Sequence, residues 1–339
     1  MSKMRLFALH ATRGFGEQVA RWLDKSLCEH QEEKFIDGEQ YLRAKKNVRG
    51  KHVVVIQSLY SDEEESITEK FTRLLFFIGS LRDASAKSIT AVVPYAGFFR
   101  QDRKTESRAP ITTKYVAQLL EAVGAKRFLT MDVHSPTAMQ NAFKKCIPDN
   151  LEAVHLLVNA VCEKILEEEE HGGIAPRDFT VVSPDEGGIK RALQGQKLIA
   201  QRLGRDIGFA FVDKRHKAGT GTGLISADTI VGNVANRCAI TWDDMISSGK
   251  TMNLAATLVE GAGGKQWGIA AVHPLCVGKV NENLANVGHI FTTDTIISGR
   301  LNADTLKRVT VLSATHLFAQ AIYRIKKGKS ISSLLERGE

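Results

Sequence analysis

Apolar positions along this chain come in two alternating textures. Short unbroken apolar runs predict strands over Arg5–Leu9, His52–Gln57, Ser88–Pro94 and Arg127–Asp132. Between them apolar residues recur at helical spacing. That spacing predicts helices over Gly16–Cys28, over Ile111–Val123, over Leu151–Glu170, and from Asp62 onward with Glu63, Glu64 and Glu65 in its first turn. The Asp62 helix shows an apolar face of Ile67, Phe71, Leu74, Leu75, Ile78 and Leu81. The Glu167–Glu170 run reads as a solvated helix end, stopped by His171-Gly172-Gly173. The second half repeats the plan, with strands at Phe179–Ser183, Gly208–Val212 and Cys238–Trp242, another ending at His273-Pro274, and a last one near His289–Thr293. A helix carries Met252, Leu254, Ala255, Leu258 and Val259, and an amphipathic helix over Ala314–Ile325 comes last.

Unbroken apolar strands alternating with helices imply α/β architecture, with parallel sheets covered on both faces. Polar residues gather just after the strand ends, where such sheets bind ligands. A repeat runs through the chain. Leu120-Glu-Ala-Val-Gly-Ala-Lys-Arg-Phe, ending at Val133-His134, lines up without gaps on Val259-Glu-Gly-Ala-Gly-Gly-Lys-Gln-Trp, ending at Val272-His273. Both segments read as helix, turn and strand, which points to two related halves. The expected divisions are residues 1–150, 151–312, and a C-terminal helix and tail, 313–339, packing back on the first domain.

Composition narrows the partners. The 339 residues are 43% hydrophobic and 25% charged, ordinary for a soluble two-domain protein. A net charge of +8 suits a polyanionic substrate or nucleic acid. The basic residues are dispersed, with Lys326-Lys327 and Lys329 the only cluster, and no aromatic-plus-basic stripe is seen, so nucleic acid is set aside. The five cysteines have no CxxC or metal-ligand spacing, which suggests core thiols in a reducing compartment. No apolar signal segment and no run of 18 apolar residues is seen, so the expectation is a cytoplasmic protein without a membrane partner.

One stretch organises the chemistry, Ala239-Ile-Thr-Trp-Asp-Asp-Met-Ile-Ser-Ser-Gly-Lys-Thr251. Its strand reaches two adjacent carboxylates, Asp243 and Asp244. A turn, Ser247-Ser248-Gly249, then opens a helix. A helix start rich in Ser, Gly and Thr offers backbone N–H groups and a positive dipole end to a phosphate. The carboxylates repel phosphate, so they take sugar hydroxyls or a metal. Gly249-Lys250-Thr251 is not a P-loop, because Asp244 stands where that motif needs its first glycine. Two adjacent acids at a strand end commonly only solvate a loop, so the rest of the chain decides.

Eight blocks, in order, do decide. They are Phe35-Ile-Asp-Gly-Glu39, Phe99-Arg-Gln-Asp-Arg-Lys104, Ser107-Arg-Ala-Pro-Ile111, Thr130-Met-Asp-Val-His134, Val182-Ser-Pro-Asp185 with Gly187-Gly188, Val212-Asp-Lys-Arg215, Asp243-Asp-Met-Ile246 and Thr293-Asp-Thr-Ile296. Together they resemble the ribose-phosphate diphosphokinase family over almost the whole chain. The resemblance implies two phosphoribosyltransferase-like domains related by duplication. It also implies transfer of the diphosphoryl group of ATP to the 1-hydroxyl of ribose 5-phosphate, giving phosphoribosyl diphosphate and AMP. It implies Mg²⁺ and a homo-oligomer, often a hexamer, with the ATP site shared between subunits. Phe35, Asp37 and Glu39 would meet adenine, and Arg100, Gln101, Asp102, Arg103 and Lys104 the triphosphate. His134 and Asp185 would bind the metal. Lys214 would be catalytic, with Arg215 and His216 beside it. Asp243, Asp244, Ser247, Ser248, Gly249, Lys250 and Thr251 would hold ribose 5-phosphate, and Gly219–Gly223 would close over ATP.

The chain departs from the family pattern. His216 stands where a second catalytic arginine is usual, Ser247 replaces an acid, and Lys250 replaces a glycine. Arg49 resembles part of the family's phosphate and nucleotide regulatory region, which Ser313-Ala-Thr-His316 fits less well. Two rival readings are a non-catalytic regulatory relative and a phosphoribosyltransferase. The Phe35 and Arg100 blocks count against the transferase, which needs no ATP site.

Overall fold

The computed structural model describes residues 4–171, 179–214, 228–297 and 299–336. The chain divides into two compact units. Unit 1 comprises Met1–Glu152, Asp294–Ile296 and Ser313–Glu339, and unit 2 comprises Ala153–Thr293 and Ile297–Leu312.

Unit 1 runs β1 (Met4–Ala8), α1 (Arg13–Trp22), β2 (His30–Lys34), β3 (Gln40–Ala44), β4 (His52–Ile56), α2 (Ile67–Asp83), β5 (Ser88–Val93), α3 (Thr112–Val123), β6 (Arg127–Met131), α4 (Pro136–Ala142) and β7 (Ile147–Leu151). Its sheet is parallel, in the order β1-β4-β5-β6-β7, and β2–β3 form a separate antiparallel hairpin. Side chains alternate across a strand. Val53 and Val55 therefore face Leu74 and Phe77 of α2, while Gly16 of α1 lies against Ala8 and Ile56 on the other face. A Cβ at Gly16 would sit 2.2 Å from that of Ala8, so only glycine lets α1 approach so closely. Phe99 and Phe128 stack at 5.5 Å in the core.

Unit 2 runs α5 (Val154–Glu170), β8 (Phe179–Ser183), α6 (Ile189–Leu203), β9 (Gly208–Asp213), β10 (Thr229–Gly232), β11 (Cys238–Ile246), α7 (Lys250–Gly261), β12 (Lys265–Pro274), α8 (Val280–Asn283), β13 (His289–Thr293), α9 (Ala303–Leu306) and β14 (Val309–Leu312). The strand order is β10-β9-β8-β11-β12-β13-β14, parallel except for β10. Trp242 of β11 packs on Gly195 of α6, and Ala239 on Val259 of α7, so helices cover both faces. The chain then returns to unit 1 as α10 (Thr315–Lys327) and α11 (Ser333–Glu336). Phe318 of α10 meets Phe15 of α1 edge-on at 5.5 Å.

The repeated segments are alike in detail. In each, a helix is followed by a glycine with positive φ, Gly124 at 106° and Gly263 at 79°. The next amide donates back five residues, Ala125 to Leu120 and Gly264 to Val259. A parallel strand follows in each case, β6 or β12.

Several expected elements differ. Helix α1 ends at Trp22, not Cys28, because Asp24 takes a left-handed φ of 51°. Helix α2 starts at Ile67, not at Asp62, because Ser66 caps it and forms a capping box with Glu69. Leu151 closes a strand, β7, rather than opening a helix. Strand β11 runs on through both acids to Ile246, because pairing with β12 continues to Ile246↔Pro274. The strand near His289–Thr293 is followed by β14. The Glu167–Glu170 run is not merely solvated. Glu168 accepts from Trp267 Nε1 at 2.9 Å and pairs with His289 at 2.7 Å, and Glu169 pairs with Arg205 at 2.7 Å.

Candidate active site

Unit 2's sheet contains one reversal of direction. From β8 the chain moves outward to β9, and from β11 it moves the opposite way to β12, while β8 and β11 lie side by side. The connections leaving these two strands run to opposite sides, and open α/β sheets bind ligands at the C-terminal ends of strands at such a reversal. The sequence places Asp185 on one side of the reversal and Asp243 onward on the other.

Asp243 and Asp244 share one cation. Arg191 of α6 lies 3.2 Å from Asp243 Oδ1 and 3.6 Å from Asp244 Oδ1. Burial, and then the neighbouring Asp244 carboxylate, push Asp243 well above the ordinary carboxylate range, and Arg191 pulls it back. Gly188 explains how the two sides come close. A Cβ there would meet Ser183 Oγ at 2.8 Å and Asp243 Oδ1 at 3.9 Å. Arg191 was not among the expected site residues. The available signal was physical: two adjacent acids at a strand end call for a cation, and Arg191 lies in the first turn of the helix after the strand beside them.

The turn Ser247–Gly249 is held from outside. Asn283 of α8 donates to Ser248 O at 2.8 Å, and the amides of Cys276 and Val277 donate to Ile246 O and Ser247 O at 2.9 and 3.0 Å. Gly249 sits at φ 77° with Asn283 Cβ 3.0 Å from where its own would be, so both conformation and space require glycine. Helix α7 then begins with no side-chain cap and no acidic residue in its first turn. Its positive end is left for an anion. An exposed charge gains only ~0.3–1 kcal/mol from a helix dipole. Hydrogen bonds to a charged group bring about 1.5–3 kcal/mol each, so the amides and the Ser247, Ser248 and Thr251 hydroxyls would carry the affinity. Lys250 is exposed at the first helical position.

On the other side, Asp185 Oδ1 accepts from Gly188 N at 3.0 Å, which fixes the carboxylate. Its Oδ2 lies 3.6 Å from Lys214 Nζ, just past the end of β9, and both side chains are part-exposed. Arg215, His216 and Gly219–Gly223 lie outside the described residues. Among the described residues no three His, Cys, Asp or Glu side chains converge. A single anchored carboxylate suits Mg²⁺, which takes one or two protein carboxylates and completes its shell with substrate phosphates.

The remaining expected residues belong to unit 1. Phe35, Asp37 and Glu39 form the tip of the β2–β3 hairpin, closed by Phe35 N to Glu39 O at 2.8 Å and by Gly38 at φ 95°. Phe35 is 52% exposed and Ile36 fully so, an apolar tip presented to solvent. Arg100, Gln101, Arg103 and Lys104 are exposed and Asp102 is half-buried, on the loop between β5 and α3. That loop is anchored behind them. Thr113 Oγ1 donates to Gln101 O at 3.2 Å, and Phe98, at φ 68°, packs on Phe71. His134 is exposed after β6, just before the Ser135 cap of α4. Within unit 2 the structure thus brings Asp185, Lys214, Asp243, Asp244 and Ser247–Thr251 to one sheet edge. His134 and Asp185 belong to different units.

Comparison with known proteins identifies the family. The family model described as the N-terminal domain of ribose phosphate pyrophosphokinase matches residues 4–124. The model described as the phosphoribosyl synthetase-associated domain matches residues 226–336. The chain is 35% identical over 337 residues to a ribose-phosphate pyrophosphokinase of Listeria ivanovii, and the match covers 98% of each chain. It is 33% identical over 336 residues to that of Thermotoga maritima, again covering 98% of each. The crystal structure of phosphoribosylpyrophosphate synthetase from Mycobacterium smegmatis superposes with a TM-score of 0.83 at 29% identity, covering 96% of this chain and all of the other. No described helix is long and apolar enough to cross a membrane. With both ends of the chain matched and relatives aligned along nearly its full length, this protein belongs to the ribose-phosphate pyrophosphokinase family.

Proposed function

We propose that this chain transfers the diphosphoryl group of ATP to the 1-hydroxyl of ribose 5-phosphate, releasing phosphoribosyl diphosphate and AMP. The observation that carries the reading is one continuous run of backbone. It sets a pair of acids that share Arg191, Asp243 and Asp244, directly before an uncapped helix start. Acids accept from sugar hydroxyls and the helix start takes the 5-phosphate, so the run suits a phosphorylated sugar held at both ends. Lys214, with Arg215 and His216 following it, neutralises charge on the migrating group. Arg100, Gln101, Asp102, Arg103 and Lys104 hold the triphosphate, and Phe35 stacks on adenine while Asp37 and Glu39 accept from its amino group. Asp185 and His134 would hold Mg²⁺, which when bound offsets phosphate charge. In this reading the protein works in the cytoplasm as a homo-oligomer, a hexamer, with each ATP site shared between subunits.

The test is direct. Incubation with ATP, Mg²⁺ and ribose 5-phosphate should yield AMP and phosphoribosyl diphosphate in equal amounts, and AMP that never forms across pH and phosphate concentration overturns the reading. His216, in place of the family's usual arginine, favours a second reading, a regulatory subunit without turnover. That subunit would bind ribose 5-phosphate, produce no AMP alone, and alter the rate of an active relative when mixed with it.

A further inference from the structure

The hairpin that carries Phe35 belongs to neither sheet. A two-stranded hairpin is marginal alone in water, so its aim must be set from outside. Residues directly opposite in an antiparallel pair share a face. The register His30↔Ala44, Glu32↔Leu42 and Lys34↔Gln40 therefore puts these six on one face. Leu42 and Ala44 pack against the core under α2. On β2, His30 packs on Phe7 and on Phe77 of α2, and the residues beyond it are met by charge. Glu32 accepts from His10 N at 2.8 Å and pairs with His30, and its other oxygen lies 3.5 Å from Arg73 Nε. Arg73, on α2, is 6% exposed and its guanidinium forks onto Glu65. Two residues further along β2, Lys34 donates to Glu69 Oε1 at 2.6 Å. Glu69 is already fixed as the capping-box acid of α2. Lys34, then the Ser66 backbone and hydroxyl, hold Glu69 down to about 2, so its carboxylate is ionised at neutral pH.

We propose that Glu32–Arg73–Glu65 and Lys34–Glu69 form a strut that aims the Phe35 tip, so that residues which never touch ATP set its affinity. Lys34 and Glu32 are positioning residues on a strand that rises ~3.3 Å per residue, leading straight into Phe35. With the strut cut, Leu42 and Ala44 still seat the base of the hairpin, but the tip swings. The inference rests on reading Phe35 as the base-stacking residue.

Steady-state kinetics of Lys34→Ala, Glu69→Gln, the double variant and Arg73→Leu test it, with Phe35→Ala as reference and binding of a non-hydrolysable ATP analogue measured beside turnover. Lys34→Ala and Glu69→Gln should each raise KM for ATP roughly 3–10-fold and weaken analogue binding equally. KM for ribose 5-phosphate, kcat and melting temperature should stay near wild type, and the double variant should be no worse than the worse single one. Arg73→Leu should shift KM for ATP further. If Phe35→Ala raises KM for ATP and neither surface variant does, the strut is overturned while the base-stacking reading stands. If Phe35→Ala leaves ATP affinity unchanged, the base-stacking reading falls, and the strut with it. Equal rises in KM for both substrates would mean a general loss of fold and would also overturn it.

Discussion

The two units share a motif and differ in what they do with it. In each, a helix, a left-handed glycine and a parallel strand recur with the same backbone hydrogen bonds. In unit 1 every new strand of the sheet is added on the same side, in the order β1-β4-β5-β6-β7. In unit 2 the order reverses between β8 and β11, the kind of switch point at which open α/β sheets bind ligands. The difference teaches that strand order, more than the local motif, decides where a sheet can hold a substrate. Unit 2 builds its site from strand ends and a helix start. Unit 1 offers a hairpin tip and a loop anchored on buried phenylalanines, the surfaces that the proposed reaction assigns to ATP.

Paired substitutions can break or sharpen this division. The largest effect is expected at Lys214. Lys214→Ala should lower kcat about 100- to 1,000-fold, the usual cost of losing one charge-stabilising donor, and leave ribose 5-phosphate binding intact by calorimetry. Arg100→Ala in unit 1 should raise KM for ATP and leave KM for ribose 5-phosphate alone. If Arg100→Ala weakens the sugar phosphate instead, the division is wrong.

Next comes Arg191. Arg191→Gln removes the guanidinium that both Asp243 and Asp244 face. Breaking a buried pair costs about 3–5 kcal/mol, and part-exposure of Arg191 and Asp243 reduces this to about 1–3 kcal/mol. Chemical denaturation should show that loss, together with weaker ribose 5-phosphate binding.

A smaller contrast separates two glycines. Gly249→Ala places a side chain at φ 77° against Asn283. It should cost about 1–2 kcal/mol of stability and raise KM for ribose 5-phosphate more than tenfold. Gly38→Ala, at φ 95° but in open space, should cost about 1 kcal/mol or less and raise KM only for ATP.

The smallest effect concerns Asp243. Its folded-state pKa is raised, so the native state keeps a proton that the unfolded chain releases near 3.8. Stability from this group is therefore fullest at low pH and is lost as pH rises through the folded value. Asp243→Asn should flatten that dependence and raise the neutral-pH melting temperature while sugar binding falls. Asp37→Asn, at the exposed hairpin tip, should leave melting unchanged. A lower melting temperature for Asp243→Asn would show that Arg191 more than offsets the burial cost.

Much of this was legible in the sequence because it rests on period and order. The alternation of apolar strands and helical faces gave the architecture, and the constant offset of Leu120–His134 and Val259–His273 marked the shared motif. Elements set by neighbours rather than by their own pattern were not legible. The strand β2, His-Gln-Glu-Glu-Lys, has no apolar face of its own; it pairs with β3, whose Leu42 and Ala44 reach the core, and α2 meets it with counter-charges. Strand β7 contains Pro148, tolerated because β7 is an edge strand. The length of β11 beyond Trp242 depends on β12, and the inward turn of Glu168 depends on Trp267 and His289, about a hundred residues away in sequence. Arg191 stayed hidden for the same reason, since its partners lie on another strand.

The path of the chain between the units has a consequence for how the molecule is made. Unit 2 is spliced into unit 1, which closes only with the segments 294–296 and 313–339. On the ribosome, α1 emerges early but must wait for Phe318 and the rest of α10 until all of unit 2 has been synthesised. Unit 1 is therefore begun first and completed last. Through that interval Phe15 and its neighbours are an apolar surface that the nascent chain has to keep from other partners.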